Sequence, residues 1–191
     1  MQQLQEQVEN MSSRDKISVY PVYNMDGYKY MTQVEAAIRS YDREPDVSID
    51  VIPLSAQEYD SSRRQYKADL IIGLVAARRD ADRKGKVLGL TSVDISMPKM
   101  NYVFGVTNIA KRASLLSTAR LAILPGGVHL GLKTVEERIF KESAHEIGHL
   151  LGLTHCLEPT CIMSFSNSIK EVDEKLPTLC NACREKLKSR R

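Results

Sequence analysis

The 191-residue chain lacks any apolar run that approaches the 18 or more residues of a membrane-spanning helix, and this absence predicts that no segment crosses a membrane. The N-terminal stretch, residues 1–16, also lacks the apolar core of a signal peptide. We therefore expect a polar N-terminal lead-in over residues 1–16 and a cytoplasmic protein. In that compartment thiols stay reduced, and grouped cysteines bind metal more often than they form disulfides.

A large excess of charge is absent as well, because 27 basic and 24 acidic residues give a formal net charge of +3 at pH 7. This excess is too small to argue for nucleic-acid binding, and no aromatic-rich basic patch accompanies it. Basic residues do cluster over residues 184–191, where we interpret them as a solvated tail. Internal repeats are also absent, and a length of 191 residues is typical of one domain, so we expect one compact domain over residues 17–191. We also expect a monomer.

Alternating strand and helix patterns predict the fold class. β-Branched, aromatic or alternating apolar residues predict five strands, over 17–24, 47–52, 86–95, 102–109 and 113–124. Apolar positions at helical spacing predict helices over 27–41 and about 62–79. The order β-α-β-α-β-β-β, followed by a helix, predicts an α/β (α+β) fold with a mixed sheet, whose later strands allow an antiparallel edge. Pro125, Gly126 and Gly127 break the chain before that last helix.

Histidine and cysteine are scarce, with four of each, yet three histidines and two cysteines lie within residues 145–163. Such a concentration indicates a metal site. The spacing of Thr134 and Glu137 is that of a capping box, so we expect a helix that begins there and ends near Gly152.

On this helix His145 and His149 lie one turn apart, so both imidazoles can reach a single ion. Gly152 lets the chain turn back and bring His155 as a third ligand. Three neutral histidines with one open position are typical of a catalytic zinc. Zinc makes a water nucleophilic near pH 7, and Glu146 is the best general base in the motif. The alternative is a chance match of the short HExxH pattern, which the correctly placed Gly152 and His155 make improbable.

The four cysteines predict a second metal site. Cys180 and Cys183 form a CxxC pair, and Cys156 and Cys161 supply another nearby pair, which is a pattern typical of structural zinc. Two disulfides, four buried thiols or a redox CxxC motif are the alternatives. A zinc at this site would fix the segment around His155 to a C-terminal helix that begins near Cys180.

The motif HExxHxxGxxH followed by a methionine is the signature of the metzincin metalloproteases. With its four cysteines, residues 145–183 resemble the archaemetzincins, a family of predicted zinc proteases with a second, cysteine-bound zinc. The resemblance implies a metzincin-like fold. In it, an upper subdomain over 17–152 contains a twisted mixed sheet, the helices that pack on it and the active-site helix. A small lower subdomain over 153–191 is held together by the cysteine-bound zinc.

The resemblance also implies two Zn²⁺ per chain. The first would be a catalytic zinc with Glu146 as general base and the ligands His145, His149 and His155. The second would be a structural zinc held by Cys156, Cys161, Cys180 and Cys183. Met163 would lie in the turn beneath the catalytic zinc. Some metzincins place a tyrosine two residues after this methionine, where the present chain has Phe165.

We therefore expect a zinc-dependent peptidase that acts on a peptide or protein substrate. An extended peptide would lie against the strand 102–109, where Gly105 would permit close backbone approach. A zinc-binding scaffold with little or no proteolytic activity is the first alternative, and a nucleic-acid binder that uses the cysteine site and the basic tail is the second. We expect His129 to be a surface residue, and Asp94 receives no role from the sequence.

Overall fold

The structure is a computed structural model that describes residues 16–79, 85–122 and 132–190. Its strands are β1 (Lys16–Val22), β2 (Glu44–Val47), β3 (Tyr59–Asp60), β4 (Gln65–Lys67), β5 (Lys86–Thr91), β6 (Ile95–Ser96), β7 (Gly105–Asn108) and β8 (Ala113–Ser117). A five-stranded sheet has the order β2-β1-β5-β8-β7, and a small sheet has the order β3-β4-β6. In the large sheet all neighbours pair in parallel except β7, which runs antiparallel to β8 at the edge. The predicted mixed α/β fold is confirmed.

Five α-helices complete the described part of the chain: α1 (Met31–Arg39), α2 (Ala68–Ala76), α3 (Leu132–Leu150), α4 (Ile169–Glu174) and α5 (Asn181–Lys188). A 3-10 helix, Asp26–Tyr30, leads into α1. None of the helices in the described ranges is long and apolar enough to cross a membrane.

The large sheet lies between two apolar cores, because successive side chains of a strand point to opposite faces. On β8, Leu116 packs in the core that also holds α1 and α3, whereas its neighbour Leu115 packs in the core around α2. On β5, Leu88 and Val87 divide between the same two cores in the same way. Both faces of the sheet are buried at β5 and β8, which explains why the sequences of these two strands are almost continuously apolar.

Several predicted element boundaries were wrong. The helix predicted over about 62–79 begins only at Ala68, because residues 65–67 form β4, which pairs with β3 and β6. Tyr66 therefore lies on a strand, and Leu70, expected on the buried face, is 43% exposed. The strand predicted over 47–52 contributes only its first residue to β2. Ile52 forms an isolated bridge to Val22 beyond that strand.

The last strands are shorter than predicted, and α3 begins at Leu132, two residues before the predicted capping box at Thr134. Lys16, predicted as the end of the lead-in, is the first residue of β1. Residues 1–15 of that lead-in, the break at 125–127 and His129 lie outside the described residues.

The C-terminal end of α3 has the form that the sequence predicted. Gly152 has φ +90°, a left-handed conformation that glycine adopts without a steric penalty. The amide of Gly152 donates to His149 O and the amide of Leu153 donates to Gly148 O, each at 2.9 Å. This pair of hydrogen bonds is a Schellman motif, which closes the helix and turns the chain back towards its own last turn.

Candidate metal centre and cleft

His145 and His149 lie one turn apart on α3, and each ring is oriented by a backbone carbonyl. His145 Nδ1 lies 2.9 Å from Ile162 O, and His149 Nδ1 lies 2.8 Å from Leu153 O. Because a carbonyl can only accept, we assign the proton of each neutral ring to Nδ1, which leaves a lone pair on Nε2.

The two Nε2 atoms face each other at 3.1 Å. Two lone pairs at this distance repel unless a cation lies between them. Two nitrogens bound to one tetrahedral zinc at about 2.0–2.1 Å would lie roughly 3.3–3.4 Å apart, close to this spacing. The side chains therefore fit a bound zinc ion.

His155 completes a three-histidine cluster. Its ring centroid lies 5.3 Å from that of His145 and 4.8 Å from that of His149, and one ligand atom from each ring lies within 4.8 Å of the others. Burial lowers the pKa of all three imidazoles, most strongly that of His145. The rings are therefore held in the neutral form that metal binding requires.

Glu146 is buried between α3 and the edge strand β7. The Oγ1 of Thr107 lies 2.5 Å from Glu146 Oε2 and donates to it. Burial raises the pKa of the Glu146 carboxyl to about 8, although the hydrogen bond from Thr107 acts in the opposite direction. A carboxyl with a raised pKa in a cleft is a recurrent feature of general bases.

A cleft of about 780 Å³ opens over the histidines and Glu146. The loop 97–104 and the edge strand β7 line one side, and residues 153–155 and 165–167 line the other. On that second side the ring of Phe165, which is 46% exposed, lies 5.1 Å from the ring of His155.

Gly105 lies on the cleft, as expected for the strand predicted to hold a peptide, but the structure gives it a different neighbour. A Cβ at this position would lie 2.5 Å from Glu146 Oε1 and 2.6 Å from Glu146 Cγ. The missing side chain of Gly105 thus makes room for the carboxylate of Glu146.

Met163 is fully buried against α3. A Cβ on Gly148 would overlap the Sδ atom of Met163, so these two residues are in tight contact. The hydroxyl of Tyr41 donates to Ala144 O at 2.8 Å and also lies 4.0 Å from Met163 Sδ. Tyr41 therefore joins α3 to the segment that carries Met163.

The four cysteines form a second cluster, and all are free thiols, which contradicts the disulfide alternative. Their sulfur atoms lie within 4.8 Å of one another, with 3.7 Å between Cys156 and Cys180. A disulfide would need about 2.05 Å. Two sulfurs on one tetrahedral zinc, each at about 2.3 Å, would lie roughly 3.8 Å apart.

Backbone amides lie near two of these sulfurs, and the pKa values of thiols in the cluster shift in both directions. The amide of Glu158 lies 3.4 Å from Cys156 Sγ, and the amide of Cys180 lies 3.4 Å from Cys161 Sγ. A hydrogen bond from the backbone of Cys183 lowers the pKa of Cys180, at the start of α5, to about 7. Burial raises the pKa of Cys161 and of Cys183, so their thiolates need a cation beside them, which a zinc ion at this cluster would supply.

The sequence did not identify a buried ion pair in the cleft wall. Glu142 lies one helical turn before His145 and lines the cleft, and its Oε1 accepts from Lys175 Nζ at 2.9 Å. The Lys175 side chain is 0% exposed and that of Glu142 is 5% exposed. The helical spacing from His145 was the only available signal for Glu142, and nothing local marked Lys175.

Asp94, which received no role from the sequence, anchors the loop above the cleft. Its carboxylate accepts two hydrogen bonds from Arg120, at 2.7 and 2.6 Å, and one from Gln65 at 3.0 Å. Gln65 also donates to Asn101 O at 2.9 Å. The guanidinium of Arg120 lies 4.1 Å from the ring centroid of Tyr102, which lines the cleft. The role of Asp94 is therefore to hold one wall of the cleft in place.

Comparisons with known proteins agree with this geometry. The model of the family described as Peptidase family M54 matches residues 17–189. A curated archaemetzincin of Methanocaldococcus jannaschii is 40% identical over 139 residues, which are 73% of this chain and 74% of the relative. An archaemetzincin of Pyrococcus furiosus is 32% identical over 182 residues, which are 93% of this chain and 94% of the relative.

Solved structures show the same similarity. The crystal structure of archaemetzincin from Methanopyrus kandleri matches with a TM-score of 0.79 and 31% identity, over 93% of this chain and 96% of that one. The crystal structure of a zinc-dependent peptidase from Methanocorpusculum labreanum matches with a TM-score of 0.76 and 26% identity, over 90% of this chain and 99% of that one.

Proposed function

This chain belongs to peptidase family M54, the archaemetzincins, and we propose that it hydrolyses peptide bonds with zinc at the histidine cluster and Glu146 as general base. Membership in this family makes it a zinc metallopeptidase. The HExxHxxGxxH motif, with Met163 after it, also supports its assignment to the metzincins.

The observation that carries the proposal is the pair of facing Nε2 atoms on His145 and His149, 3.1 Å apart, with both Nδ1 atoms hydrogen-bonded to carbonyls. His155 is the proposed third protein ligand. Zinc held there supplies a Lewis acid that makes a water molecule nucleophilic at neutral pH and polarises the scissile carbonyl.

Glu146 performs the proton transfers in this proposal. Its Oε2 is held by Thr107, and its Oε1 accepts the proton of the attacking water. The same carboxyl then returns the proton to the leaving amine. Burial raises the pKa of this carboxyl, and the positive charge of zinc at the histidines would lower it again, so that the ionised carboxylate can accept the proton.

The strand β7 is the proposed binding site for the substrate main chain. It is the edge strand of the large sheet and it lines the cleft, so an extended peptide can add to it through backbone hydrogen bonds. The substrate is a peptide or protein.

The cysteine cluster is the proposed site of a second, structural zinc, which gives two zinc ions per chain. Its ligands would be Cys156, Cys161, Cys180 and Cys183. This zinc would fix the start of α5 to the segment that carries His155 and Met163. We divide the domain accordingly into an upper part over 17–152 and a lower part over 153–191, and we propose a cytoplasmic monomer.

The test combines zinc analysis with a peptide library whose products are read by mass spectrometry. The protein is assayed as purified, after dialysis against a chelator and after zinc is returned. We expect two zinc ions per chain, with cleavage that is lost on chelation and restored by zinc. A fully zinc-loaded protein that cleaves no member of the library would support the scaffold alternative. Pairs of N-terminally blocked and free peptides in the library distinguish endopeptidase from aminopeptidase activity.

A further inference from the structure

The edge strand β7 contacts the carboxylate of Glu146 through two positions on the same face. Gly105 and Thr107 are two residues apart, so they lie on one side of the strand. Gly105 lies beneath Oε1, where a side chain would displace the carboxylate, and Thr107 donates to Oε2 at 2.5 Å. The carboxylate is therefore fixed by its fit over Gly105 and by a hydrogen bond from Thr107.

A second hydroxyl supports the first. Ser114, on the neighbouring strand β8, is fully buried, and its Oγ lies 2.5 Å from Thr107 Oγ1. A threonine hydroxyl has one proton to donate, and an ionised carboxylate can only accept. When Thr107 donates to Glu146, the hydroxyl of Ser114 is the donor to Thr107. In this order Ser114 donates to Thr107 and Thr107 donates to the Glu146 carboxylate, and both hydroxyls also lie near Glu146 O, at 3.4 and 3.3 Å respectively.

We propose that Thr107 is a positioning residue that fixes the rotamer of Glu146, with Ser114 as its support. This inference rests on the proposed role of Glu146 as general base. The hydrogen bond occupies Oε2 and leaves Oε1 for the proton of the attacking water. A general base that keeps one rotamer has its carboxylate in the productive position in every molecule. Misplacement of that carboxylate by about 1 Å can lower the rate about a hundredfold.

The arrangement also links substrate alignment to the base. The strand proposed to bind the substrate main chain, β7, is also the strand whose residues contact the Glu146 carboxylate. The same strand therefore positions both the scissile bond and the general base. The Thr107 hydroxyl contacts Glu146, and the exchange of Thr107 for valine leaves the backbone of β7 in place for the substrate.

The test compares Thr107→Val, which keeps the branched shape but removes the hydroxyl, with Thr107→Ser, which keeps the hydroxyl. We expect Thr107→Val to lower kcat about 10- to 100-fold, with KM within about twofold of wild type and an unchanged zinc content. Thr107→Ser retains kcat within a few-fold of wild type. Thr91→Val is the matched control, since it removes a buried hydroxyl that donates to Val22 O at 3.0 Å, away from Glu146. This control lowers stability and leaves kcat unchanged.

Crystal structures of zinc-loaded wild type and Thr107→Val give a second measurement that does not depend on activity. We expect the Glu146 carboxylate to move away from its wild-type position in the valine variant. An unmoved carboxylate, a wild-type kcat in Thr107→Val, or equal losses in the valine and serine variants would overturn the inference. Lack of peptidase activity in the zinc-loaded wild type would instead refute the proposed function, and the two structures would still decide whether Thr107 positions Glu146.

Discussion

The sulfur atoms of Cys156 and Cys180 lie 3.7 Å apart, although 24 residues separate them in the chain. Cys156 directly follows His155, and Cys180 directly precedes the first residue of α5. The amide of Cys156 also donates to Met163 O at 2.9 Å. The position of His155 therefore depends on the cysteine cluster, although His155 is not a member of that cluster.

Cys180→Ser should lose the second zinc and weaken the first. A hydroxyl is a poor ligand for zinc at a thiolate site, and altered support around a metal typically costs 10- to 100-fold in affinity. Zinc competition with a chelator should show this loss at the histidine site, and the melting temperature should fall. Ser189→Ala, at the exposed end of α5, is the control and should change neither quantity. Two zinc ions and unchanged melting in Cys180→Ser would refute the proposed structural role.

Lys175→Met should destabilise the protein strongly, because it leaves the Glu142 carboxylate buried without its cation. Removal of one partner from a buried ion pair costs about 3–5 kcal/mol in the free energy of unfolding, measurable by urea denaturation. The double variant Glu142→Leu with Lys175→Met should recover most of that loss. If the single variant is as stable as wild type, the pair contributes nothing to the folded state.

The stability of Lys175→Met should also depend on pH with a defined sign. Burial raises the pKa of Glu142, and Lys175 partly opposes that rise. Without Lys175 the folded state holds the Glu142 proton to higher pH than the unfolded state does, so the contribution of Glu142 to stability falls as pH rises. The urea midpoint of zinc-loaded Lys175→Met should therefore fall further below that of zinc-loaded wild type as pH rises from about 5 to about 8. A difference from wild type that stays constant or shrinks as pH rises would contradict this prediction.

Gly148→Ala and Gly73→Ala should change stability in opposite directions, although both glycines lie inside helices. The new Cβ at 148 would overlap Met163 Sδ, and overpacking of about 1–3 kcal/mol should outweigh the helix propensity gained, about 1 kcal/mol. At Gly73 the nearest atom, Lys111 Nζ, lies 3.7 Å away, so alanine should stabilise by about 0.5–1 kcal/mol. Urea denaturation of both variants decides the matter, and a stabilised Gly148→Ala would disprove the tight contact with Met163.

Features encoded within one helix or one short motif were predictable from the sequence. The spacing of His145 and His149 and the turn at Gly152 follow from helix geometry, and the structure brings His155 to them. The CxxC pair of Cys180 and Cys183 predicted a cluster that the structure assembles. The alternating strand and helix patterns predicted the mixed sheet.

Features that depend on pairing between distant segments were not predictable. Tyr66 has helical spacing with Leu70, yet residues 65–67 pair with β3 and β6, and that tertiary pairing overrides the local pattern. Thr107 reaches Glu146 only because β7 pairs antiparallel with β8 beside α3. Lys175 reaches Glu142 across 33 residues. A single sequence without its sheet register contains no signal for such contacts.

The most direct test of the central claim is the kcat/KM of zinc-loaded Glu146→Gln on the best peptide from the library. Glutamine keeps the shape of the side chain but cannot accept and return a proton, so kcat/KM should fall about 10²- to 10⁴-fold. The zinc content should stay at the wild-type value, because Glu146 is not a proposed ligand. A zinc-loaded Glu146→Gln that cleaves the peptide at the wild-type rate would contradict the account.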